Sequence, residues 1–169
     1  MTAADTWCAV VPQKALSKAK GRIALPAEQR RVLAAAMLGD TVAALEATPT
    51  VARVFILWDD AADGPVLPES DTRRHVVAAG HSLNGAVRLG VERARDAVPG
   101  CSLVVVPSDL PALDPAELTT FLARAGRYRR AFMADADATG TSLLAVTGDL
   151  PLVPSYGPNS RARHVASGS

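Results

Sequence analysis

The sequence lacks an excess of charge of either sign: 18 Lys plus Arg stand against 17 Asp plus Glu, a formal net charge of +1. A general field that would recommend nucleic acid or an anionic membrane as partner is thereby excluded, and any anion binding must be local. Long apolar runs are missing as well. The longest, such as Leu103 to Val106, fall far short of the ~20 residues of a membrane span. The start MTAADTW carries neither the basic nor the apolar region of a secretory leader, so a cytoplasmic protein is expected. Cysteine is nearly absent, and Cys8 and Cys101, each beside a strand-like apolar run, read as reduced core residues. His75, His81 and His164 show no metal-ligand spacing with one another or with cysteine, so no zinc site is expected and each reads as a surface or packing residue. Neither G-x-x-x-x-G-K-[ST], G-x-G-x-x-G nor G-x-S-x-G occurs, which removes the P-loop, the dinucleotide fingerprint and the serine nucleophile elbow.

What is present is a chain of 169 residues, 49% apolar, enough for one compact domain with its own core. Apolar runs bounded by turn residues alternate with segments of helical period, the pattern of strand–helix–strand units around a mostly parallel sheet. Strands are expected at Trp7 to Val11, Val51 to Trp58, Arg74 to Val77, Leu103 to Val106, Arg130 to Ala134 and Ser142 to Val146. A first helix spans Ala27 to Thr48, with Leu33, Met37, Leu38, Val42 and Leu45 on its apolar face. Ser82 caps a second, with Leu83, Val87, Val91, Ala94 and Val98 facing the core and Pro99-Gly100 ending it. Asp114-Pro115 opens a third through Ala125, and Ser160 to Ala166 begins a short last one after a loop from Gly148 to Pro158.

Three places carry candidate chemistry. All three lysines, Lys14, Lys18 and Lys20, lie in one seven-residue window directly after the first strand, at the sheet edge where open α/β folds bind ligands. Lys14, Lys20 and Arg22, with backbone N–H groups near Gly21, can cradle a triphosphate; a solvated basic loop without a ligand is the competing reading. In VVVPSDLPAL, Asp109 stands just past the most apolar strand, between Pro107 and Pro111. A carboxylate beside a triphosphate invites Mg²⁺, whereas the plainer reading makes Asp109 a turn residue. Third, ATGTS, Ala138 to Ser142, and SYGPNSRARH, Ser155 to His164, combine small hydroxyl residues, glycine and the start of a helix, with Arg161 and Arg163 nearby. This suits a second anion, although Thr-Gly and Gly-Pro-Asn are also ordinary turn dipeptides.

With VPQKALSKAKGRIA, HSLNGAVRLG, VVVPSDLPAL, ATGTSLLAV and YGPNSRARHVASG in order, the chain resembles the guanylyltransferases that make the deazaflavin coenzyme F-420. The most specific elements are the Lys-x₅-Lys-x-Arg loop, Asp-Leu-Pro and Gly-Pro-x-Ser-x-x-Arg-His, and the resemblance runs from about Val10 to the last residue. It implies a single-domain Rossmann-like nucleotidyltransferase fold, with a mostly parallel central sheet and helices on both faces. The family joins the guanylyl group of GTP to phosphoenolpyruvate or 2-phospho-L-lactate and releases pyrophosphate. The resemblance implies that Lys14, Lys20 and Arg22 hold the GTP phosphates and that Leu83 and Asn84 line the nucleoside pocket. By the same resemblance Asp109 is a Mg²⁺ ligand, and Thr141, Gly157 and Ser160 bind the phosphoacid. Ile23 in place of Leu and Ser142 in place of Asn or Ala are mild departures. Relatives continue past the Arg-His-x-x-x-Gly segment for a few dozen residues, with an Asp-x-Asp-Thr-Pro motif that supplies further metal carboxylates and a closing helix. Against them this sequence, ending at Ser169, is expected to bind Mg²⁺·GTP weakly, turn over poorly and expose an apolar strip. Asp135 is a candidate second ligand.

The expected reaction is guanylyl transfer to phosphoenolpyruvate in preference to 2-phospholactate, with Lys14, Lys20 and Asp109 as the catalytic residues and Mg²⁺ as cofactor. The substrates are GTP and a small phosphoacid, with neither nucleic acid nor membrane as partner and a homodimer left open. The alternatives are a non-catalytic nucleotide-binding remnant of the fold, or a nucleotidyltransferase with another acceptor.

Overall fold

A strand buried on both faces needs an unbroken apolar run, because its alternate side chains enter two separate cores. In β1, Trp7–Gln13, residues Trp7, Ala9 and Val11 enter one core while Cys8 and Val10 enter the other. The computed structural model describes residues 6–13, 24–59 and 67–168. The remaining elements are α1 (Ala27–Glu46), β2 (Val51–Trp58), β3 (Arg73–Val77), α2 (Leu83–Ala97), β4 (Ser102–Val105), α3 (Pro115–Ala125), β5 (Arg130–Ala134), β6 (Thr141–Val146) and α4 (Ser160–Ala166).

The strands form one six-stranded sheet in the order β3-β2-β1-β4-β6-β5. Neighbours among β3, β2, β1 and β4 pair in parallel, whereas β6 runs antiparallel to both β4 and β5. Helices α1 and α3 cover one face through Leu38, Val42, Leu45, Leu118 and Leu122. Helix α2 covers the other through Val87, Val91 and Ala94. Its approach is close at Gly90, where an added Cβ would lie 2.6 Å from Leu57 and 2.8 Å from Val10.

The capping chemistry is as the sequence implies: Ser82 accepts from the Gly85 N–H, and Asp114 from those of Ala116 and Glu117. Gly100 takes φ +76 beyond the end of α2, a conformation glycine adopts without strain. Element ends differ by one or two residues: β1 runs on to Gln13, α1 stops at Glu46, β3 starts at Arg73, and β4 and β6 each start one residue earlier. One assignment needs correction. Leu83 is 41% exposed and stands at the first turn of α2 instead of in the core. Cys8 and Cys101 are both free and buried. The neighbouring Cys101 and burial push the Cys8 thiol well up, so it stays protonated. Among the described residues no helix is long and apolar enough to cross a membrane.

Candidate functional site

From β1 the chain passes through α1 to β2 and β3 on one flank, and α2 then carries it back across the other face to β4 on the opposite flank of β1, so the strand order reverses between β1 and β4. A crevice opens at such a reversal, outside the carboxyl ends of the strands. The antiparallel β6 brings its opposite end to the same edge. Leu144 pairs with Val105, the last residue of β4, so Thr141 extends beyond it toward the Pro107–Asp109 turn.

Two adjoining cavities occupy this edge. The first, of about 290 Å³, has Val105, Pro107, Ser108, Asp109, Thr141 and Tyr156 in its wall. The second, of about 310 Å³, has Leu57, Asp59, Ala78, His81 and Ala86. Both are bordered by Pro12, Gln13 and Leu83, so the end of β1 and the start of α2 form the ridge between them. Thus Asp109 and Thr141 come together in one cavity, and Leu83 borders both. The sequence reading gave Gln13, buried at this ridge, no role.

The turn carrying Asp109 is held from α1. Thr41, fully buried, accepts the Leu110 N–H at 3.0 Å and donates its own proton to the Met37 carbonyl at 2.8 Å. A buried backbone N–H left without a partner costs about 1–3 kcal/mol, so this hydroxyl fixes where the turn sits. Helix-capping falls to Asp114, and Asp109 stands in the cavity wall.

On the other wall, Thr141 Oγ1 lies 2.8 Å from His164 Nδ1 and accepts from Ser160 Oγ at 3.3 Å. His164 Nε2 accepts the Ser155 N–H at 2.9 Å, and Arg163 Nε donates to the Ser155 carbonyl at 3.1 Å. Burial first, and Arg163 second, hold the His164 pKa below its ordinary value of 6.5, so the ring is neutral. Ser160 and His164 are the two buried residues of α4. Their i, i+4 spacing places both on one helix face, the signal that could have marked His164 as more than a packing residue. Gly157, at φ +123, turns the chain into α4 where a Cβ would meet Arg163 at 3.1 Å. Gly157 therefore shapes the loop beside Thr141 and Ser160.

Asn84 makes a reciprocal pair with Tyr156: its Oδ1 accepts the Tyr156 N–H at 2.8 Å and its Nδ2 donates to the Tyr156 carbonyl at 3.2 Å. The amide thereby ties the loop to α2. The Tyr156 ring packs edge-on to His164 at 5.4 Å, and burial pushes its phenol pKa up. His75 is a packing residue: its Nδ1 accepts the indole N–H of Trp58 at 2.6 Å, and its Nε2 meets the Leu67 carbonyl at 2.7 Å. Asp135 closes the β5–β6 turn by accepting the Thr139 and Gly140 N–H groups at one carboxylate oxygen, Oδ1. Lys14, Lys18, Lys20, Gly21, Arg22 and Ile23 lie outside the described residues.

Among the described residues no three His, Cys, Asp or Glu side chains gather as a metal cage. Asp109 shares its cavity with Ser108, Thr141 and Gln13, an all-oxygen and amide lining without thiol or imidazole. That donor chemistry fits a hard cation such as Mg²⁺, held by one carboxylate together with substrate phosphates and waters.

The family model described as "Guanylyl transferase CofC like" matches residues 7–168. The phosphoenolpyruvate guanylyltransferase of Streptomyces coelicolor is 43% identical over 165 residues, spanning 96% of this chain and 78% of that protein. That of Thermomonospora curvata is 41% identical, spanning 97% and 72%. Among solved structures, a nucleotide-diphospho-sugar transferase from Desulfovibrio desulfuricans G20, described as putative, superposes with a TM-score of 0.63 at 16% identity, over 83% of this chain and 63% of that one. Rv0371c from Mycobacterium tuberculosis H37Rv, solved in complex with manganese, gives 0.57 at 18% identity, over 82% and 70%. These likenesses place the fold among the Rossmann-like nucleotidyltransferases, and the match along nearly the whole sequence, carried by relatives above 40% identity, means that the chain belongs to the CofC-like guanylyl transferase family.

Proposed function

We propose that the protein joins the guanylyl group of GTP to a three-carbon phosphoacid, phosphoenolpyruvate in preference to 2-phospho-L-lactate, and releases pyrophosphate, as a cytoplasmic step toward coenzyme F-420. The observation that carries this reading is the meeting of Asp109, from the end of β4, with Thr141, from the start of β6, in one cavity beside the end of β1. The names of the relatives in Streptomyces coelicolor and Thermomonospora curvata support the acceptor.

In this reading the nucleoside lies against Leu83 at the ridge, and Asn84 acts on it indirectly, by holding Tyr156 in place. Lys14, Lys20 and Arg22 neutralise the GTP phosphates. Thr141 receives the phosphoacid, on a wall that Gly157 shapes and Ser160 holds through its bond to the Thr141 oxygen. A phosphate oxygen of the acid attacks the α-phosphorus of GTP in line, a new P–O–P bond forms, and the bond to the departing pyrophosphate breaks. No general base is needed, since the attacking oxygen is already an anion. Positioning and charge neutralisation supply the acceleration, because two polyanions repel strongly at the low effective dielectric of a cleft. Asp109 would hold Mg²⁺, which when bound supplies positive charge to the phosphates.

The test is mass spectrometry of the products after incubation with GTP, Mg²⁺ and each phosphoacid in turn. Guanylylated phosphoenolpyruvate together with pyrophosphate is the expected result. Binding of GTP without product from either acid would mark a nucleotide-binding remnant and overturn the proposal.

A further inference from the structure

We infer that His164 is a positioning residue that makes the Thr141 hydroxyl a one-way hydrogen-bond donor to the anionic acceptor. The geometry assigns each proton. The Ser155 backbone N–H can only donate, and it points at Nε2 from 2.9 Å, so Nε2 carries a lone pair. A neutral imidazole then has its proton on Nδ1. Nδ1–H therefore donates to Thr141 Oγ1 across 2.8 Å. Ser160 Oγ donates to the same oxygen. With two donors on it, the Thr141 oxygen has no lone pair left to offer, and among the described residues no acceptor takes its one proton. Thr141 stands in the wall of the cavity that also holds Ser108 and Asp109.

Such a hydroxyl can only give. A carboxylate or phosphate oxygen, which only accepts, is matched, and a ligand group that must donate is refused. The device thus favours an acid over an alcohol or an amine at this wall, and it does so without a formal charge that would compete for the substrate phosphates. His164 suits the task because it is fully buried and neutral, with the aromatic rings of Tyr156 and Phe132 against it. Arg163, on its own helix, is the charged group acting on it; it opposes protonation. A proton gained at Nε2 would face the Ser155 N–H and release that loop.

The identity of the ligand rests on the phosphoacid reading above, whereas the tautomer does not, and the experiment separates the two. Nitrogen-15 spectra of the imidazoles in the free protein report which nitrogen carries the proton. Expected is Nδ1–H for His164 at neutral pH; an Nε2–H tautomer or an imidazolium overturns the inference whatever the substrate proves to be. Kinetics then follow four variants. His164→Phe keeps a ring but no donor and is expected to raise KM for phosphoenolpyruvate about tenfold, with KM for GTP unchanged within about twofold. His164→Asn keeps an N–H near the Nδ1 position and should recover most of that loss. Thr141→Val combined with His164→Phe should be no worse than Thr141→Val alone, since both remove the same hydrogen bond. Equal changes in the two KM values, no recovery by Asn, or additive losses would each refute the positioning role. If the tautomer is as assigned but phosphoenolpyruvate neither binds nor reacts, the acceptor reading fails and the His164–Thr141 pairing stands.

Discussion

The two halves of the sheet reach the cleft by different physics. The parallel half, β1 to β4, brings residues to it by where buried strands end, and it is held by apolar packing against α1, α2 and α3. The β6–β5 half brings Thr141 to it by where a strand begins, and it is held there by a chain of hydrogen bonds through Ser160, His164 and Ser155. Each half holds a histidine with both ring nitrogens bonded, in opposite senses. His75 accepts at Nδ1 from Trp58, whereas His164 accepts at Nε2 from Ser155. His75 staples a strand to a loop away from the cavity, and His164 reaches a hydroxyl in its wall. The same residue type with the same valence of contacts therefore has a role set by what lies beyond its partner.

This contrast predicts that substitutions in the parallel half move stability while those in the hydrogen-bonded half move acceptor affinity. The largest effect should come where the halves meet. Asp109→Asn is expected to keep the melting temperature near that of the parent and to lower turnover about tenfold or more, roughly 1.4 kcal/mol of transition-state stabilisation. Unchanged turnover at saturating Mg²⁺ would remove Asp109 from metal binding. Next is Gly90→Ala, whose Cβ would lie 2.6 Å from Leu57. Overpacking there should cost about 1–3 kcal/mol in urea unfolding and leave both KM values alone; a KM change would break the division between the halves. Thr41→Val should cost about 1 kcal/mol by stranding the Leu110 N–H, and should reduce turnover a few-fold through the Asp109 turn, measured beside the unfolding curve. A loss of stability with turnover intact would show that the turn keeps its place without that bond.

The smallest effect is one of pH. His164 has its pKa lowered from 6.5 in the folded chain. Above pH 6.5 both states are largely neutral at this residue, while below it the unfolded chain takes up a proton that the folded chain resists. Stability should therefore fall as pH drops from 6.5 through the lowered value, and His164→Asn should flatten that slope in denaturant titrations across the window.

The parallel half was legible because its information is local. Val51 to Trp58 is a strand end to end as read, and Leu38, Val42 and Leu45 are buried at the helical spacing that marks them. The strand ends beside Asp109 and Thr141 were also legible, whereas the roles given to the two residues rest on the family resemblance. What stayed hidden depends on partners far apart in the chain. Thr41 meets the Leu110 N–H across 69 positions, Asn84 meets Tyr156 across 72, and His164 meets Thr141 across 23. A polar side chain inside an apolar pattern shows that a partner exists without saying which. Leu83 misled for the converse reason: its spacing fits the buried face of α2, but the first turn overhangs the sheet edge and leaves it facing the cleft.

The pairing of Asn84 with Tyr156 has a mechanical consequence. Its two hydrogen bonds, 2.8 and 3.2 Å, copy the exchange between neighbouring peptide units in a ladder, with a side-chain amide in place of one backbone. The first turn of α2 and the loop entering α4 are thus riveted into a single rim. The opposite rim is held separately, where α1 grips the Asp109 turn by the hydroxyl of Thr41. Each rim of the cleft is thus tied by a side chain to a backbone group dozens of residues away in the chain.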